Sequence, residues 1–243
     1  MQTKQETKDI KIVPIFDQMA NPKIWSDFTR LEMLCDTVKY GYRTGDDDRN
    51  RIFASHMYDW THERYNFAFV AYDEKAMVGF ANGFLENRSE MYLRNLYVDP
   101  QYNGLGIGKR LLEQSERTAN LIVPSMSVIS LNGAISFYEG RGYESPDNRY
   151  MLKKLPHNIV GVVPVFKNML GGMRAKMMAP YDKQAVRQCV NQPVFVYVTA
   201  DREIDAVGIR MPDKEIKIWT NEHKHGMVDF YKNQLLKAFE KVK

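Results

Sequence analysis

Residues 98–116 read VDPQYNGLGIGKRLLEQSE, with glycine at 104, 106 and 108 followed by Lys109, Arg110 and a helix-like run. Glycine recurs in this way where backbone must turn sharply or lie close to something else. Two glycine loops fail on spacing. A GxxxxGK[ST] phosphate loop requires glycine at 103 and Ser or Thr at 110, where the chain has Asn103 and Arg110. A GxGxxG dinucleotide turn requires glycine at 109, which is Lys109. There remains a strand-to-helix turn whose N–H groups face a diphosphate, aided by the partial positive charge of the helix start. A tight turn without a ligand is the plain alternative.

The flanking sequence supplies the strand and the helix. Upstream, 67–73 and 76–86 are apolar runs joined by the turn-like DEK, and MYLRNLYV at 91–98 extends the meander. IKIVPIF at 10–16 alternates as a first strand, and 22–39 reads as a helix with Ile24, Phe28, Leu31 and Leu34 on one side. DDDRNRIFASHMYDWTHER opens with acids and continues with Ile52, Phe53, Met57 and Trp60 at helical spacing. Downstream, the helix runs to about Asn120. LIVPSMSVIS then gives a strand, LNGAISFYEGRGY a short helix and RYMLKKL a closing strand. The order is β-α-α-β-β-β-α-β-α-β, an α/β (α+β) arrangement.

After Leu155 the character changes. Prolines at 156, 164 and 180, with Gly171–Gly172, interrupt a methionine-rich stretch. Two or three short antiparallel strands follow between 194 and 219. A last helix places Met227, Tyr231, Leu235, Ala238 and Val242 on one face. The reading is residues 1–156 as one domain and 157–243 as a small α+β module.

The 243 residues carry a net charge of +4, and 44% are hydrophobic. Residues 157–243 hold 14 Lys/Arg against 9 Asp/Glu, so the basic excess lies there. This is too slight to argue for nucleic acid. No stretch reaches the roughly 18 apolar residues of a membrane helix. The polar start MQTKQETKDI lacks the apolar centre of a signal peptide. Cys35 and Cys189 are far apart, as expected in a reducing compartment. A cytoplasmic protein is expected. The pair His223 and His225 has no third ligand in sequence, so no metal is expected.

VDPxYxGxGIGxxLL after a strand, with NxxAxxFYexxGY some 25 residues later, resembles the acetyl-CoA signature of the GCN5-related N-acetyltransferase (GNAT) family. The glycine motif falls on Asn103, Gly104, Leu105, Gly106, Ile107 and Gly108, and the second motif on Asn132, Ala134, Phe137, Tyr138, Gly142 and Tyr143. The resemblance covers about residues 10–155. It implies a mixed, mostly antiparallel central sheet flanked by helices, with acetyl-CoA as co-substrate. Asn103 stands where the family has Gln or Arg, which implies weaker phosphate contact but leaves the backbone cradle intact.

The resemblance also implies roles. The cofactor would meet Leu96, Tyr97 and Val98, the segment Asn103–Lys109, and Asn132, whose alternative role is to cap the helix that follows. Tyr138 would protonate the leaving thiolate; a packed ring is its alternative. No carboxylate lies between Met91 and Val98. That leaves Glu86 and Glu90 as bases acting through water, or a water chain to bulk. Arg94, a charge on a central strand, faces either an anionic acceptor or a neighbouring acid. Tyr40 and Tyr42, around Gly41, are the candidates to touch the acceptor, and Asp46, Asp47 and Asp48 could attract a cationic amine.

The expected function is direct acetyl transfer to a primary amine of a small molecule or peptide. Two alternatives stand beside it: a non-catalytic CoA-binding regulator, and an acetyltransferase acting on a protein or aminoacyl-tRNA. No membrane partner is expected, and a homodimer is open.

Overall fold

Alternating apolar residues build the first sheet. Phe67, Phe69 and Ala71 of β2 (Phe67–Tyr72) bury one face, while Ala68 and Val70 bury the other. The computed structural model describes residues 9–14, 22–40, 51, 67–74, 76–87, 89–147, 149–156, 160–165, 170, 177–188 and 194–241. The expected second helix, Arg51 apart, and Tyr42, Asp46, Asp47 and Asp48 lie outside them, as does the side chain of Tyr40 at the end of α1.

β1 (Lys11–Pro14), β2, β3 (Met77–Asn87), β4 (Glu90–Val98), β5 (Ser125–Ile129), β6 (Glu144–Asp147) and β7 (Tyr150–Lys154) form one sheet in the order β1-β2-β3-β4-β5-β7-β6. Its pairs are antiparallel except β4–β5. β6 was not foreseen: its sequence ESPD contains Pro146 and is exposed throughout, so no alternation marks it.

Each face carries a helix. α1 (Pro22–Tyr40) packs Ile24, Phe28, Leu31 and Cys35 against Ala68, Val70, Met77, Phe80 and Tyr97. The expected Leu34 is 40% exposed instead; the helical repeat carries the stripe from Leu31 to Cys35. On the other face, α2 (Ile107–Asn120) buries Ile107, Leu111, Leu112, Ser115, Thr118 and Ala119. α3 (Ile135–Glu139) lies near the start of α2, where Phe137 comes within 3.7 Å of a Cβ placed on Gly108.

The C-terminal residues form a second, four-stranded antiparallel sheet. Its order is β11-β10-β9-β8, with β8 at Gly161–Val165, β9 at Val194–Val198, β10 at Ile204–Arg210 and β11 at Ile216–Thr220. A short helix, α4 (Lys183–Gln188), precedes β9. β8 was not among the expected strands, because Pro164 sits within it opposite Phe195. α5 (Val228–Glu240) buries the expected Tyr231 and Leu235 together with Phe239, and the expected Ala238 packs half-buried against the same cluster; Met227 does not join it. Met227 precedes the helix and is 41% exposed, so the buried stripe starts one turn later. Val242 lies outside the described residues.

Val194, Val196, Ile204 and Val207 of this sheet share an apolar cluster with Leu121, Ile122 and Val123 beyond α2. Buried Arg202 crosses the junction and donates to Asn120 Oδ1 (3.3 Å) and to the Leu155 carbonyl (3.2 Å).

Candidate active site

Four pairs join β4 to β5, from Glu90–Ser125 to Leu93–Val128; beyond Leu93, β4 continues to Val98 without β5. Just there β3 also changes step. Asn82 pairs with Asn95 and Gly83 with Leu93, so Arg94 is the extra residue of a bulge. The bulge shifts the alternation. Met91 and Leu93 face α2, and after it Leu96 and Val98 do, while Tyr97 faces α1.

The peptide groups of the open edge follow from the ladder. Asp99 donates its N–H to the Val78 carbonyl at 2.9 Å, so Asp99 and Tyr97 point their main-chain groups at β3. Those of Leu96 and Val98 therefore point the other way, to where β5 has left. A main chain exposed in this manner takes an extended partner as a further strand.

Val98 leads into the glycine turn. Gly104 and Gly106 adopt φ of +82° and +73°, left-handed values that glycine reaches without cost. Nothing lies within 4 Å of a Cβ on either, so conformation rather than crowding demands glycine there. The first bond of the turn is Arg110 N–H to the Gly106 carbonyl, at 3.1 Å. Among the described residues, the amides from Gly104 to Lys109 donate to no protein group. Six unspent N–H groups at the positive end of a 14-residue helix suit an anion.

Lys109 is exposed beside them, 3.8 Å from Glu113. Arg110 turns away, donating to the Ile10 carbonyl at 2.8 Å. Asn103 and Asn132 are both exposed near the turns they begin or end. The capping role for Asn132 is not realised, since Leu131 holds the cap position and no side chain caps it.

Tyr138 is 6% exposed and packs edge-on against Phe137 (5.0 Å) and Tyr143 (5.4 Å). Burial, then the nearness of Tyr92 and Cys35, raises its phenol well above the usual range, against the pull of Arg141. Its ring belongs to the apolar cluster on the α2 face, with Ile107, Leu111 and Leu112.

Glu90 sits at the paired end of β4. It accepts from Ser127 Oγ (2.5 Å) and Tyr150 Oη (2.8 Å). Glu86 is exposed near the end of β3, and Arg94 is exposed on its bulge.

Three buried polar residues on the α1 face escaped the sequence reading as site residues. Glu32 of α1 is 5% exposed and accepts from Asn95 Nδ2 at 3.3 Å. Asn82 stands beside Asn95 in register, fully buried, and neither atom of its carboxamide has a partner among the described residues. A signal existed. Glu32 lies within the arc of Phe28, Leu31 and Cys35, where a charge should not be buried idly.

The family model for the acetyltransferase (GNAT) domain matches residues 64–145. Similar solved structures include a GNAT-family acetyltransferase from Staphylococcus aureus Mu50, with 17% identity and a TM-score of 0.48 over 60% of this chain and 99% of that one. The PaiA N-acetyltransferase of Thermoplasma acidophilum, solved in complex with coenzyme A, gives 16% and 0.46 over 60% and 99%. An acetyltransferase from Streptococcus agalactiae 2603 gives 16% and 0.47 over 60% and 98%. No curated protein matches the chain. The matched residues 64–145 hold the divergent strands, the glycine turn and Tyr138.

Proposed function

We propose that the chain is an acetyl-CoA-dependent N-acetyltransferase acting on a primary amine of a small molecule or peptide. The observation that carries this reading is the continuity of the open edge at Leu96 and Val98 with the unspent amides of Gly104–Lys109. The first suits an extended chain bearing amide groups; the second suits a diphosphate. Coenzyme A has both in sequence, and acetyl-CoA would supply the activated acetyl group.

Leu96 and Val98 would pair with the extended arm, fix its depth and aim an N–H at the thioester oxygen. Tyr97 lends its main chain to β3 and holds those two in place. Gly104, Leu105, Gly106, Ile107, Gly108 and Lys109 would hold the diphosphate, with Lys109 adding charge at the rim and Asn103 and Asn132 bordering it. Tyr138 keeps its proton at neutral pH and would give it to the departing sulfur. Arg94, Tyr40 and Tyr42 are assigned to the acceptor side. Glu86 and Glu90 would take part through water alone, since Glu90 is engaged by Ser127 and Tyr150 at the paired end of the strand.

The test is thiol release from acetyl-CoA with a panel of primary amines, for the wild type and Tyr138→Phe. Turnover with at least one amine, reduced about 10²-fold or more by the substitution, is the expected result. Tight CoA binding with no turnover on any amine would favour the non-catalytic alternative. The buried Tyr138, whose phenol is held protonated, supports the enzyme.

A further inference from the structure

Transfer to an amine that arrives as an ammonium needs a proton acceptor, and β4 carries no carboxylate between Met91 and Val98. The α1 face supplies one. Asn82 lies in register between Ala68 of β2 and Asn95 of β4, on the floor under α1. Its side chain is shut from solvent, and both its donor and its acceptor lack a protein partner among the described residues. A buried carboxamide in that state selects a small guest that both donates and accepts, which a water does. Asn95 joins this position to Glu32 by its 3.3 Å hydrogen bond. Asn95 also adjoins Arg94, the bulged residue where β5 departs.

Glu32 is three residues before Cys35 on α1, about 4.5 Å along the helix axis. Cys35 is buried in the cluster between α1 and the sheet. The Glu32 carboxylate and the Tyr138 phenol therefore lie on opposite faces of the sheet, Glu32 under α1 and Tyr138 in the α2 cluster.

We propose that Glu32, in place of Glu86 and Glu90, is the proton acceptor for the incoming ammonium, reached through a water held by Asn82 and Asn95. The inference rests on the N-acetyltransferase reading. The ammonium passes one proton through the water to Glu32, which releases it to solvent. The nitrogen then bonds to the acetyl carbon, the C–S bond breaks and the sulfur leaves with the electron pair. It takes the phenolic proton of Tyr138, and Tyr138 is reprotonated by the second proton that the nitrogen sheds.

The test pairs the best primary alkylamine of the panel with its β,β-difluorinated counterpart, whose ammonium is far more acidic and so arrives largely neutral. Glu32→Gln should lower kcat with the alkylamine by about 10²-fold or more, and with the fluorinated amine by under about threefold. Its KM for acetyl-CoA should not move. Asn82→Leu, similar in size but unable to hold the water, should lower kcat with the alkylamine about tenfold while leaving the KM for acetyl-CoA unchanged. Equal losses on both amines in Glu32→Gln, or an unaltered kcat in Asn82→Leu, would overturn the relay while leaving the enzyme reading intact. A wild type that acetylates no amine would overturn the enzyme reading and the relay with it.

Discussion

Leu93 pairs with Val128, and the residue after Leu93 is skipped by β3 as well, so the bulge and the divergence of β4 from β5 begin at one point. The bulge fixes which residues turn their peptide groups outward. In the free chain, amide exchange at Leu96 and Val98 should be about tenfold or more faster than at Tyr97, whose N–H faces β3. Coenzyme A should slow Leu96 and Val98 together with Gly104–Lys109. Exchange left unchanged by saturating coenzyme A would remove the placement of the cofactor.

The glycines separate by conformation. Gly106→Ala forces a Cβ onto a φ of +73°, in open space, so it should destabilise by about 1–2 kcal/mol through backbone strain alone. Gly108 lies in the helix, and its nearest neighbour to a Cβ is Val98 at 3.6 Å, an ordinary contact. Gly108→Ala should therefore stabilise the free chain by about 0.4–1 kcal/mol. Chemical denaturation of the two variants checks the opposite signs. A loss of coenzyme A affinity in Gly108→Ala would then report how closely the ligand approaches, since the turn itself is undisturbed.

Tyr138 should act as an acid across the neutral and moderately alkaline range. Its folded-state pKa is raised, first by burial, so the phenol stays neutral where an exposed tyrosine would ionise. The rate should show no alkaline decline from this group below about pH 10, the ordinary tyrosine value. Tyr138→Phe should lower kcat about 10²-fold or more and leave the coenzyme A Kd within about threefold. A rate profile falling between pH 8 and 9 in the wild type, and absent from Tyr138→Phe, would contradict the assignment.

The glycine turn was legible because left-handed backbone restricts residue choice at Gly104 and Gly106. The meander was legible because two-sided burial of β2 and β3 forces long apolar runs. Glu32 was not recognised: a helix wheel shows that a charge enters the core, but not that Asn95 waits opposite it. Asn82 and Asn95 lie 13 positions apart in sequence, and only the bulge at Arg94 brings them into register on one face. β8 was hidden by Pro164, a residue tolerated in a sheet chiefly on an edge strand, which β8 is.

The C-terminal sheet should fail first in acid, through Asp205. This carboxylate is fully buried in β10 and accepts from Lys224 Nζ (2.6 Å), Tyr231 Oη (2.7 Å) and Asn221 Nδ2 (2.9 Å). Burial alone would raise its pKa, but the three donors outweigh burial and hold it below the usual carboxylate range. A group depressed in the folded state contributes stability above its unfolded pKa of about 3.9, lost as pH falls through the lower folded value. Near-ultraviolet dichroism should therefore show loss of tertiary structure around Tyr231 only below about pH 4. Asp205→Asn should cost about 2–3 kcal/mol at pH 7, since its new amide faces donors, and should flatten that acid dependence. Lys224 is half-exposed and screened by solvent, so Lys224→Met should cost under about 1 kcal/mol. Equal costs for the two variants would mean that the ion pair, rather than the buried hydrogen bonds to Tyr231 and Asn221, secures α5 and the end of β11.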